Sequence, residues 1–196
     1  LGSGQCASGL GDPIVLYDRL AERWMLSEFS SSGNRLCVYI SQTADPVGGG
    51  WFAYSYQAPS FPDYPKYGVW PTDANGGAGS YIVTANDGGP GIYALDRGAM
   101  LAGSPGTYQR VTIPGLPGFG FQSPTPADLD MPAAPPAGSP AVIMRHRDTE
   151  NHGGPGGVDG DVLELWEYQV DWVNPGSSVI SQRPNIVVSE FDSALC

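Results

Sequence analysis

The stretch "GDPIVLYDRLAERWMLSEF", residues 11–29, decides the fold. Its middle places Leu16, Leu20 and Trp24 four residues apart, the spacing of a short amphipathic helix. Pro13 and the β-branched pair Ile14 and Val15 argue for extended backbone instead, since Pro fixes φ and β-branched side chains are stiff. The stretch therefore reads as a hairpin: "GDPIVLYD" (11–18), a turn at "RLAE", and a returning strand "RWMLSEF" (23–29). "RLCVYISQ" (35–42) and "GWFAYSYQAP" (50–59) complete a unit of four short strands, with the turn-rich "DPVGGG" between the last two.

The same pattern recurs twice. A second unit runs through "DYPKYGVW" (63–70), "SYIVTAN" (80–86), "GIYALDR" (91–97) and "TYQRVTIP" (107–114). A third runs through "SPTPADLD" (123–130), "AVIMRHRD" (141–148), "DVLELWEYQVDW" (161–172) and "ISQRPNIVV" (180–188). Four strands every 40–60 residues, opening at Asp12, Asp63 and Ser123, predict an all-β chain of β-propeller blades. The expected blades span residues 11–60, 61–116 and 119–192. Three blades do not close a ring, so the missing ones are expected from the rest of a longer polypeptide or from a partner. The chain stops on Cys196, which has no evident partner, and this supports the expectation of a longer polypeptide.

Composition sets limits on partners. The formal net charge is −11 with nine basic residues, so nucleic acid is not an expected partner. No apolar run is long enough to cross a membrane as a helix. With 28 Gly and 19 Pro the chain is turn-rich, yet its 41% hydrophobic content argues against disorder. The cysteines show no zinc-binding spacing. Cys6 precedes the first strand and Cys37 lies in the third, which predicts a disulfide between them. That pairing, the acidity and a single lysine, Lys66, suggest an extracellular protein whose export signal has been removed.

"GDPIVLYDRLAERWMLSEF", "FPDYPKYGVWP", "IYALDRGAML", "MRHRDTENH", "LELWEYQVDW" and "SEFDSALC" together resemble a family of large secreted bacterial β-propeller proteins. The resemblance covers nearly the whole chain. It implies a propeller fold and a secreted or cell-surface location in a bacterium, with further blades after the "FDS-x-LC" segment. It implies no reaction, because function lives in the site rather than the fold.

Up-and-down strands place the start of each first strand and each loop between strands 2 and 3 at one end of the blades. Asp12, Asp63, Asp87 and the loop after "MRHRD" are therefore expected on one face, as candidate ligand-binding groups. Asp12 and Asp63 also suit a pair of glycosidase carboxyls if they approach to about 5–10 Å. The ordinary alternative is that each caps its own turn. In "MRHRDTENHGG" (144–154), His146, Asp148, Glu150 and His152 fall at alternate positions and would share one face of a continuous strand. Two imidazoles with carboxylates suit zinc, manganese or iron, and oxygen donors suit calcium, with Asp159 or Asp161 as further ligands. The ordinary alternative is a polar loop in which Asp148 pairs with Arg145 or Arg147. The Trp and Tyr residues mostly alternate along strands and read as packing between blades rather than a sugar platform; Trp70 is the exception, ending a first strand and expected to point toward the bottom of the channel.

Three functions fit. One is a binding or adhesion module for a polysaccharide or a surface protein. Another is an extracellular hydrolase using top-face carboxylates and a metal. The last is a structural subunit of a surface assembly.

Overall fold

A computed structural model describes residues 2–118, 124–129, 133–153 and 160–193. The chain is all-β, built as three antiparallel sheets. Sheet A contains β1 (Gly9–Asp18), β2 (Arg23–Ser30), β3 (Arg35–Ser41) and β4 (Trp51–Gln57) in that order. Sheet B contains β5 (Asp63–Trp70), β6 (Ser80–Asn86), β7 (Pro90–Asp96) and β8 (Tyr108–Thr112). Sheet C orders β9 (Thr125–Pro126), β10 (Ala141–Arg147), β11 (Asp161–Gln169) and β12 (Val179–Gln182), and β13 (Ile186–Val188) also pairs with β11. Among the described residues the three sheets do not close into a barrel or ring.

The deciding hairpin forms as the sequence requires. Asp18 pairs with Arg23, and the four residues between them turn with Glu22 at φ +54°. The Asp18 carboxylate accepts the Ala21 N–H at 3.1 Å, which closes the turn.

Sheet B is the middle layer, and its central strands β6 and β7 are buried on both faces. Alternate residues of β6 point opposite ways. Tyr81, Val83 and Ala85 pack on Met25, Leu36, Val38 and Ile40 of sheet A. Ile82, with Trp70, Ile92 and Ala94, packs on Ile143, Trp166 and Tyr168 of sheet C. Of the aromatics expected between layers, Tyr54, Tyr56, Trp166, Tyr168 and Trp172 join the inter-sheet clusters, whereas Trp24 and Trp51 lie on the outer side of sheet A. Trp70 is buried and donates its indole N–H to the Ser139 carbonyl at 2.9 Å.

The first strands of successive sheets touch. Gly68 of β5 lies so close to the Ala127 carbonyl that an added Cβ would stand 2.5 Å from it. The Val69 N–H donates to Asp128 at 2.8 Å. Buried ion pairs fix the layers. Asp18 of sheet A accepts from Arg97 at 2.6 and 3.0 Å and from the Tyr81 hydroxyl at 2.9 Å. Arg97 begins α1 (Arg97–Leu101), a single turn capped by Asp96 where the sequence suggested only loop.

Three details differ from the sequence expectation. Asp12 and Tyr64, rather than Asp12 and Asp63, are equivalent: each has φ near +50°, precedes a proline, and sits in a bulge of the first strand. The expected strand 180–188 divides into β12 and β13, with Arg183 and Pro184 between them. Pro184 has no N–H for a ladder, while the Arg183 N–H keeps contact with β11 through the Leu165 carbonyl at 2.8 Å. The expected opening strand 123–130 shrinks to Thr125–Pro126, since prolines at 124 and 126 remove ladder donors. Ser123, the expected start of the third unit, lies outside the described residues, as does Cys196. The expected Cys6–Cys37 disulfide is present and ties the N-terminal turn to β3.

Candidate metal centre

Strand β10 ends at Arg147, and Asp148 begins a different structure. Its carboxylate accepts the Asn151 N–H at 3.0 Å and caps α2 (Thr149–His152), one helical turn. This turn replaces the continuous strand that alternation of His146, Asp148, Glu150 and His152 assumed. Side chains two apart on a helix do not share a face, so the four are not brought together as a set.

Asp148, Glu150 and Asp161 do come together. Their nearest oxygens lie within 4.8 Å of one another, with Asp148 and Asp161 buried and Glu150 exposed. This triad could hold a metal ion. Asp161 opens β11, fully buried, and accepts the Thr149 N–H at 2.8 Å and the Phe191 N–H at 2.6 Å. Asp159 lies outside the described residues.

The two histidines serve other partners. His146 stands on the outer side of sheet C with its ring against Phe191, centroids 5.9 Å apart. Burial, then the neighbouring His152, lowers its pKa. His152 is buried, with Nδ1 3.1 Å from the Pro117 carbonyl and Nε2 3.4 Å from the Ser193 hydroxyl. All three donors gathered at the triad are therefore carboxylates, a hard oxygen set that suits calcium or magnesium better than zinc.

The expected pairing of Asp148 with Arg145 or Arg147 is not the arrangement found. Both arginines bind Glu164 instead, Arg145 at 2.5 and 2.8 Å and Arg147 at 3.0 Å. Arg145 also donates to the Pro114 carbonyl at 2.9 Å, joining sheet C to the end of sheet B. Glu164 is thus shared by the two arginines and offsets one of their two positive charges.

Residues 190–193 close over the site, a contribution that the sequence reading missed. Ser193 gives its N–H and hydroxyl to Asp148 Oδ2. Asp148, Glu150, Asn151, Glu190, Phe191 and Asp192 line a cavity of about 260 Å³. Bonding from the Ser193 backbone N–H, despite burial, holds the Asp148 carboxyl below its ordinary value. Glu150 is raised: a bond from its own backbone N–H lowers it, but desolvation and the charges of Asp161 and Glu190 outweigh that bond. The signal was the acidic pair flanking Phe191 in "SEFDS". It carries no meaning from the sequence alone, because it joins the site only through the pairing of β13 with the Asp161 end of β11.

The remaining candidates lie on other sheets. Asp12 is exposed on its bulge. Asp63 is half-buried and accepts the Tyr64 N–H at 2.8 Å, the capping role weighed from sequence. Asp87 is buried beneath Arg110, which binds both its oxygens at 2.5 and 2.8 Å, and beside the Tyr93 hydroxyl. Its carboxylate holds the β6–β7 turn to β8 instead of facing solvent. Among the described residues, no helix is long and apolar enough to cross a membrane. Compared with known proteins, the chain matches no family model, no curated protein and no solved structure.

Proposed function

We propose that the chain is part of a secreted or cell-surface bacterial β-propeller that binds a polysaccharide or a surface protein through an acidic, cation-loaded rim. The observation that carries this reading is the convergence of Asp148, Glu150 and Asp161 beside the cavity lined by Glu190 and Asp192. Calcium is the cation that the donor chemistry favours, since carboxylates with a cavity open to further oxygens suit a large, flexible coordination shell. A bound calcium would offset the crowding of like charge and leave positions for ligand hydroxyls or carboxylates.

Support for the propeller comes from the fourfold strand repeat, the layered packing of sheets A, B and C, and contact between neighbouring first strands. The Cys6–Cys37 disulfide fits an oxidising compartment. The motif resemblance to secreted bacterial propellers points the same way.

Affinity electrophoresis through acidic and neutral bacterial polysaccharides, with calcium and then with chelator, tests the reading. Retardation by at least one polysaccharide that falls tenfold or more on chelation is expected. Retardation that chelator leaves unchanged would refute the cation-loaded rim as the binding surface.

A further inference from the structure

Asn75 is the one asparagine of the chain that precedes a glycine, in the loop "TDANGGAGS" (72–80) between β5 and β6. The loop is exposed from Ala74 to Ala78. A glycine in second place matters because it has no Cβ, so its backbone nitrogen closes on the neighbouring side-chain carbonyl with little hindrance. Gly76 stands at φ +72°, a conformation that suits glycine and few other residues.

The same side chain joins two sheets. Asn75 Nδ2 donates to Asp171 Oδ1 at 2.9 Å, and beside it the Ala74 N–H donates to the Val170 carbonyl at 2.8 Å. Asp171 is buried just past the end of β11. Its Oδ1 also accepts the N–H groups of Val173 and Asn174, at 2.9 and 2.7 Å, so this carboxylate is committed to its own turn. The joint between sheets B and C therefore depends on a donor at residue 75. Two hydrogen bonds restrain any reaction there: Nδ2 is held by Asp171, and the Gly76 N–H donates to the Asp73 carbonyl at 2.9 Å. The loop must lift and its turn must open before the Gly76 nitrogen can reach the side chain.

We infer that Asn75 is a site of spontaneous deamidation, and that the product keeps the joint between sheets B and C from closing again. The Gly76 nitrogen attacks Asn75 Cγ and the Cγ–Nδ2 bond breaks. Ammonia departs with the proton from Gly76, and a succinimide ring is left. Water adds to either carbonyl of the ring and opens it to aspartate or isoaspartate. The net change converts an amide and a water into a carboxylate and an ammonium ion. Residue 75 has then lost its donor and sets a negative charge against Asp171. Isoaspartate also lengthens the main chain of the turn by a carbon. The amide does not re-form unaided, so each opening that ends in reaction is one-way.

Peptide mapping by mass spectrometry, on the folded full chain held at mildly alkaline pH, tests the site. Asn75 is expected to convert ahead of every other asparagine, to isoaspartate as well as aspartate, with release of ammonia. A folded chain that stays unmodified while the urea-unfolded chain converts overturns it. Asn75→Asp tests the joint, since it supplies one of the two products directly. It is expected to melt below wild type and to exchange the Ala74 amide about tenfold faster, the effect of losing one hydrogen bond to a charged group. In an Asp171→Asn background, which keeps an oxygen for Val173 and Asn174, the same change is expected to cost little because the like charge is gone. No loss in wild type, or an equal loss in both backgrounds, overturns the joint. Asp161 lies at the other end of β11, so the proposed function stands or falls separately.

Discussion

Ser193 gives both its backbone N–H and its hydroxyl to one oxygen of Asp148, each at 2.8 Å, while the other oxygen caps α2. One carboxylate thus joins two segments 45 residues apart in sequence. Replacing Asp148 with Ala removes the cap and leaves the Ser193 and Asn151 donors without it. The expected cost is about 1–3 kcal/mol in urea denaturation, with faster amide exchange at Phe191 and Ser193 than elsewhere in sheet C.

The same carboxylate sets an acid limit. Its pKa is depressed in the folded chain, so its contribution is complete above the ordinary carboxylate value of 3.8 and is lost as pH falls below it. Thermal melting from about pH 5 down to about pH 2 is therefore expected to fall more steeply for wild type than for Asp148→Asn. Parallel curves would remove Asp148 from the acid transition.

The buried pair of Asp18 and Arg97 holds sheet A to sheet B, with both side chains nearly inaccessible. Asp18→Ala leaves the Arg97 guanidinium and the Tyr81 hydroxyl unpaired in that interior. The expected loss is about 3–5 kcal/mol, against about 1 kcal/mol for Tyr81→Phe, measured by chemical denaturation. A small effect of Asp18→Ala would mean that water reaches the guanidinium.

The Cys6–Cys37 bridge closes a loop with a sequence separation of 31. Chain-entropy reasoning gives roughly 3–4 kcal/mol for such a loop. Reduction, or replacement of both cysteines by Ser, is expected to lower the melting temperature by an amount consistent with that figure. The effect should centre on exchange at Cys37 and Tyr39, where the N-terminal turn packs.

The strands were legible because their signals are local. Residues 63–70 and 80–86 read as strands from β-branched and aromatic runs bounded by turn residues, and both bounds match the structure. The hairpin at Arg19–Glu22 followed from Pro13 and two β-branched residues. The site was less legible because it is not local. Alternation placed His146 and His152 with the carboxylates, but a one-turn helix capped by Asp148 broke the period. Asp161 was visible as an extra candidate, whereas Phe191 and Ser193 reach the site only because β13 pairs with the opening residues of β11, a contact between segments distant in sequence. The equivalence of Asp12 with Tyr64 was hidden for a similar reason. The shared feature is a backbone bulge before a proline, not a shared side chain.

Isothermal titration of the purified chain with calcium tests the central claim most directly. Uptake of one calcium is expected, with a dissociation constant of about 10⁻⁴ to 10⁻³ M for an extracellular site of three carboxylates. Glu150→Gln, which changes an exposed ligand, is expected to weaken binding by tenfold or more without lowering the melting temperature of the calcium-free chain, since it removes one of the crowded negative charges. No uptake by wild type at millimolar calcium, or equal uptake by Glu150→Gln, would contradict the account.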